Sequence, residues 1–351
     1  MGALLGPAGR SWRAATALLV VVVLLLTLAV IWLPRIRFPF ATADHRTWEL
    51  FGRTAGPGSW VAGDGSYPVA LPDGRVAWLF GDSRVRRADG TDALVRNSIV
   101  VQDRHGRLRT VAGGSAAAPT DLIAPLQPGT WLWPTGGFVE GGRLMVFAEE
   151  FSRPLGPAAG GSGDGFQFQA TDRRYLVPFQ LPGLIGGTPR AAYGGPVAWG
   201  HAVLTSGRDV YVYGNLERDG WTNLTYLARF PLGRSDGYWQ FWDGRGFGPD
   251  PLAAAPLQGP GDTALVAKLG SVIPQPDPGG RFAAFTINPF GSTIDLRIAS
   301  APQGPWSASH TLYAIPEQHP YLPRAHVDGS GTVQLAYSVA DSRPRYLVAR
   351  W

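Results

Sequence analysis

One pattern recurs five times along this chain and limits what it can fold into. A strand-like apolar or aromatic run follows a tight glycine-containing turn at Ala77-Trp78-Leu79-Phe80, Leu144-Met145-Val146-Phe147, Val210-Tyr211-Val212-Tyr213, Phe282-Ala283-Ala284-Phe285 and Val333-Gln334-Leu335-Ala336-Tyr337. The turns are Pro72-Asp73-Gly74-Arg75, Gly141-Gly142-Arg143, Ser206-Gly207-Arg208, Pro278-Gly279-Gly280-Arg281 and Gly329-Ser330-Gly331. Glycine supplies the positive φ that a hairpin turn needs. Internal repeats of roughly 50–70 residues are a signature of propellers and solenoids. Each unit reads as strand, turn, strand and a further strand, so the expected fold class is all-β, a five-bladed β-propeller.

The expected first blade has strands at 66–71, 76–80 and 98–102. The second has strands near 137–139, 144–148 and 166–170, with a Gly/Pro/Ala-rich, mobile loop at 153–165. The third, fourth and fifth occupy about 197–231, 265–301 and 325–351. The abundance of Gly (47) and Pro (31) favours such a turn-rich β fold. Cysteine is absent, which excludes disulfides, thiolate nucleophiles, Cys-ligated metals and a lipoprotein anchor.

Ala14 to Leu33 carries no charge over 20 residues, about 30 Å as a helix, enough to cross a bilayer. Trp12 and Trp32 bracket it at interface positions. The chain therefore divides into a cytoplasmic 1–13, a transmembrane helix 14–33, a stalk and lead-in 34–59, and a propeller 60–351 outside the cytoplasm, held at the cell membrane by a single pass. The competing reading is a cleaved signal peptide, with Ala41-Thr42-Ala43 as its A-x-A site, but that site lies far beyond the apolar core. Net charge is +5, yet four of the 31 basic residues and none of the 26 acidic ones precede Asp44. The remainder is near neutral, and nucleic-acid binding, which needs a basic face on the folded domain, has no support.

Antiparallel pairing places the start of each first strand, the end of each second and the start of each third at one rim. Those positions hold Asp64, Asp82, Arg84, Arg96 and Asn97 from the first unit, and Trp133, Thr135, Glu149 and Glu150 from the second. The later units give Trp199, His201, Asn215 and Glu217, then Ser271 and Asn288, then His326. Polar and aromatic groups thus gather at one end of the ring, where a pocket is expected. No phosphate loop, His-Glu-x-x-His or G-x-S-x-G motif occurs, no cofactor motif is present, and Asp89-Gly90-Thr91-Asp92 lacks calcium-loop spacing.

Gly63-Asp64-Gly65-Ser66-Tyr67-Pro68-Val69, followed by Leu71 through Ser83 and by Arg96-Asn97-Ser98-Ile99-Val100-Val101, resembles the first blade of exported bacterial five-bladed propellers long catalogued as a domain of unknown function. That wider group includes endo-D-arabinanases. Trp133 with Gly136-Gly137-Phe138-Val139-Glu140-Gly141, Trp199-Gly200-His201-Ala202-Val203 and Gly304-Pro305-Trp306-Ser307 resemble later blades, so the likeness spans about 60–351. It implies carboxylates at the funnel, with Asp64 in the position of a catalytic base and Asp82 beside it to hold a sugar hydroxyl or tune Asp64. Glycoside hydrolysis needs a second, protonated carboxyl across the scissile bond, for which Glu149 or Glu150 is available. The chain departs from the arabinanase-like pattern in the third blade, where His201 stands in place of a Glu.

The expected function is that of a membrane-anchored glycoside hydrolase-like protein acting on a cell-envelope or environmental polysaccharide, of furanoside type. Arg84, Arg96, Asn97, Trp133, Trp199, His201, Asn215 and His326 are the expected substrate-binding residues. The alternative is a non-catalytic propeller that binds carbohydrate or protein. Each residue also has a plain structural role open to it: Asp64 as a turn residue, Asp82 as a strand-end partner of an arginine, His201 and His326 as buried histidines, and Trp221, Trp239 and Trp242, readable as a sugar-stacking platform, as packing between blades.

Overall fold

The computed structural model describes residues 39–351, except 154–167, 194, 219–221, 266, 268, 275–278, 288–290 and 341. The expected span at 14–33, most of the expected 153–165 loop, and Asn288 lie outside the described residues. Among those described, no helix is long and apolar enough to cross a membrane.

Residues 40–350 form one compact unit. Five sheets of four or five strands make up most of it. The first runs Tyr67–Ala70, Val76–Phe80, Ser98–Gln102, Leu108–Val111, and the fourth Leu269–Pro274, Phe282–Ile287, Thr293–Ala299, His310–Ala314. The second and third begin with three long antiparallel strands, Thr130–Glu140, Arg143–Ser152, Gln169–Gln180 and Ala198–Ser206, Asp209–Arg218, Thr222–Pro231. The fifth is built from Tyr321–Val327, Val333–Ser338 and Arg345–Arg350. All pairings are antiparallel, and the innermost strands of the five sheets neighbour one another in a closed cycle. Each of the five turns named above has a glycine at positive φ: Gly74, Gly142, Gly207, Gly280 and Gly331.

The sheets are held by apolar layers between them. Val69, Leu79 and Ile99 of the first sheet meet Leu132, Val146 and Phe179 of the second. Phe138, Phe147 and Leu176 meet Val212, Phe230 and Trp239 of the third. Tyr213, Leu204 and Leu227 meet Val272, Ala284 and Trp306 of the fourth. Ala77 to Phe80 are fully buried, as expected for a short uninterrupted apolar run that has a neighbouring sheet on each face.

The lead-in segment differs from the stalk expected at 34–59. Phe40–Ala43 is a strand, paired with Arg345–Arg350 from Phe40 opposite Arg350 to Ala43 opposite Leu347, so it completes the fifth sheet. A helix, His45–Gly52, follows, capped by Asp44, which accepts from the Thr47 amide at 3.1 Å. Its Phe51 stacks on Tyr346 at 4.9 Å and meets Trp60 and Trp78 edge-on at 5.4 and 5.8 Å. The sequence lacks a local signal for this strand because its partner lies some 300 residues away. Removing residues 40–43 should cost about 3 kcal/mol from lost ladder bonds and lower the melting temperature by roughly 6 °C, read by thermal unfolding. An unchanged melting temperature would show that the strand carries no stability.

Candidate functional site

Asp64 follows the short strand Trp60–Gly63 and precedes the innermost strand of the first sheet. The chain turns there through Gly65 and Ser66, at φ +94° and +40°. Asp82 directly follows the second strand, and the two residues are tied through the backbone: Gly81 N–H donates to Asp64 O (2.8 Å) and Asp64 N–H to Asp82 O (3.3 Å). A Cβ at Gly81 would stand 2.8 Å from Asp64 Oδ1 and 3.5 Å from Trp133, so glycine is what lets both side chains close over this turn. The innermost strands of the other four sheets carry register shifts near the same end, at 134/136, 199/202, 269/271 and 321/324. Such bulges re-aim side chains.

The two carboxyls are held differently. Asp82 accepts from Arg96 Nη1 (2.9 Å) and from Trp133 Nε1 (2.8 Å). Arg96 lies 4.5 Å over the Trp131 ring, and its amide donates to Asp121 Oδ1 (2.7 Å). Among the described residues Asp64 accepts one side-chain donor, the Tyr321 hydroxyl at Oδ2 (3.1 Å). Burial, and then the negative charge of Asp82, push its pKa up to about 6, against the pull of the Tyr321 bond. Beside them Trp133 forms an aromatic wall with Phe151 (4.4 Å) and Phe168 (4.7 Å).

The second-sheet glutamates are spent on internal partners. Glu149 receives Arg174 Nη2 at Oε1 (2.9 Å) and stands 3.5 Å from His201 Nε2 at Oε2, all three buried. Glu150 is fully buried, accepting from Thr171 Oγ1 (2.7 Å) with Arg173 Nε at 3.3 Å.

Of the other expected site residues, Trp133 and Arg96 join the pair, and His201 joins Glu149. Arg84 is exposed and lies opposite Ala62 and Leu94, so Asp82 pairs with Arg96 alone of the two. Asn97 is buried and bonds Ile123 N, Ile123 O and Leu132 O, a clamp on backbone. Trp199 is a core residue against Phe241. Asn215 is buried opposite Ala198 and Thr225. His326 belongs to the wrong end of its strand. The fifth sheet's first strand starts at Tyr321, so Tyr321 takes the rim position while His326 packs edge-on against Trp78 at 5.2 Å. Pro320 and Pro323 hide that strand start in the sequence, and the bulge between Tyr321 and Arg324 absorbs the second proline. Arg174 was also missed; its signal is a register position, directly across from Glu149.

His326 and Asp64 make opposite contributions to stability. Burial lowers His326 from 6.5 to about 4, so the unfolded chain takes up the proton first and stability falls as pH drops from 6.5 to 4. Asp64 is raised from 3.8 to about 6, so its contribution is complete below 3.8 and is lost as pH rises towards 6. Each amounts to about 3 kcal/mol, and between pH 4 and 6 they nearly offset. Urea unfolding of Asp64→Asn should therefore show stability rising from pH 4 to 6, and His326→Gln the reverse. Parallel profiles in the two variants would contradict this.

The arrangement of sheets matches that of several solved structures. It matches a "putative hydrolase" from Bacteroides ovatus with TM-score 0.67 at 15% identity, covering 89% of this chain and 90% of that one. It also matches CoXyl43, a GH43 β-xylosidase/α-arabinofuranosidase from a compost microbial metagenome, with TM-score 0.51 at 11% identity over 82% and 90%. A third match is the GH43_1 enzyme from Xanthomonas citri complexed with xylose, TM-score 0.50 at 12% identity over 88% and 92%. At these identities the likeness is one of fold. The chain itself belongs to the family described as domain of unknown function DUF5005, whose profile matches residues 45–340. No curated protein sequence matches it significantly.

Proposed function

We propose that this protein is a five-bladed β-propeller glycoside hydrolase, each of the five large sheets being one blade, and that it cleaves a furanose-containing polysaccharide. The observation that carries the reading is the Asp64–Asp82 pair. Two carboxyls on adjoining turns are held differently, Asp64 buried with its proton affinity raised and Asp82 bonded by Arg96 and Trp133, and acid–base cleavage of a glycosidic bond uses two carboxyls in distinct environments. Asp64, raised to about 6, holds a proton in mildly acidic solution and supplies it to the leaving oxygen. Asp82, fixed by Arg96 and Trp133, serves as the partner carboxyl that activates water or meets the developing positive charge. The wall of Trp133, Phe151 and Phe168 offers apolar faces to a sugar ring. Glu149 and Glu150, engaged with Arg174, His201, Thr171 and Arg173, brace the second blade. The furanoside preference draws on the α-arabinofuranosidase named among the structural neighbours.

The domain acts outside the cytoplasm, tethered by 14–33. An A-x-A cleavage after Ala43 would remove the strand that completes the fifth sheet, which supports an uncleaved anchor. A cytoplasm-dependent reporter fused after Trp351 should be inactive; an active one would refute this orientation.

The test of function is incubation of residues 39–351 with arabinan, arabinogalactan and xylan, reading released reducing ends. Release from the arabinose-containing polymers is expected, with a rate that declines above about pH 6. Binding without release at any pH would replace hydrolysis by the carbohydrate-binding reading.

A further inference from the structure

Arg324 is a fully buried arginine that ties together different sheets at the centre of the cycle of innermost strands. It belongs to the innermost strand of the fifth sheet and is 2% exposed. Its Nη1 donates to Gly270 O, on the innermost strand of the fourth sheet, and to His201 O (3.3 Å), on that of the third. Its Cζ lies 3.8 Å over the ring of Tyr67, on the innermost strand of the first. The guanidinium thus touches three innermost strands besides its own, which places it on the axis they surround.

Among the described residues no carboxylate lies within ion-pair range of Arg324, and the nearby Glu149 is committed to Arg174 and His201. Among the described residues two carbonyls and Tyr67, through its ring face and its hydroxyl, engage the guanidinium, while Nε and Nη2 are buried with no acceptor in hydrogen-bonding geometry. Ser66 Oγ and Thr135 Oγ1, on or beside the innermost strands of the first two sheets, are likewise buried without a partner. A buried guanidinium with unfilled donors costs several kcal/mol unless a negative partner reaches it. A single-atom anion can accept from several N–H and O–H groups at once.

We propose that Arg324 is the core of an axial anion site that holds a chloride-sized monovalent anion through Nε and Nη2, cross-linking the innermost strands from within. The site is independent of the hydrolase reading, since none of its groups belongs to the Asp64–Asp82 pair.

The test is made on residues 39–351. Thermal unfolding in sodium chloride and sodium bromide is compared with sodium gluconate at equal ionic strength, and crystals grown in bromide are measured at the bromine absorption edge. The expected result is a melting temperature about 5 °C higher at saturating halide than in gluconate, and an anomalous peak beside Arg324. The halide shift should vanish in Arg324→Gln and persist in Asp64→Asn. Equal melting temperatures in all three salts, or bromide peaks confined to the surface, would overturn the proposal. If Arg324→Gln does not fold, the wild-type salt comparison and the anomalous map decide alone.

Discussion

Asp64→Asn should lower kcat for polysaccharide cleavage by roughly a thousandfold and leave KM nearly unchanged, because a positioned proton donor contributes about 10²–10⁴ to the chemical step and little to ground-state binding. Asp82→Asn should do comparable damage, since Arg96 and Trp133 would then face a neutral amide. Tyr321→Phe separates the roles. The Tyr321 bond holds the Asp64 pKa down, so its loss should move the alkaline limb of the rate profile upward from about 6 while most of the rate remains. Full activity in Asp64→Asn would remove Asp64 from the chemistry.

Arg174→Met should be the most damaging single change outside the aromatic core. Arg174 and Glu149 have side-chain exposures of 4% and 8%, and removal of one leaves the other buried without its counter-charge. Breaking such a pair costs about 3–5 kcal/mol. Glu149→Gln introduced together with Arg174→Met should restore a large part of that loss, because the uncompensated charge is what makes the single variant unstable. Urea unfolding of both variants measures this; a double variant no more stable than Arg174→Met would show that packing, not charge, governs the site.

The strands that carry a local signal were legible in the sequence. The expected 76–80 and 98–102 coincide with the observed strands, and the 66–71 strand spans Tyr67–Ala70, because each is a compact apolar run beside a glycine turn. Strand ends with Pro or bulges were not legible: Tyr321–Val327 begins four residues before the expected unit, and the second sheet's third strand extends to Gln180 rather than ending at 170. The carboxylate pair was visible because both residues flank strands of one hairpin. Trp199, Asn97 and His326 sit at plausible rim positions in sequence but turn into the layers between sheets. Period-two alternation gives no account of such choices once a bulge resets the phase. Arg324 carries no local signal at all, for its partners come from three distant segments.

The strand Phe40–Ala43 has a consequence for biosynthesis. Its template, Arg345–Arg350, is made some 300 residues later, so the early strand must wait with its ladder groups unpaired while they emerge. Pairing at such sequence separation is slow and comes late in folding. Closure of the fifth sheet therefore acts as a completion check: until Arg345–Arg350 has been made, Phe40–Ala43 has no partner, and quality-control proteases meet a loose segment instead of a sealed seam.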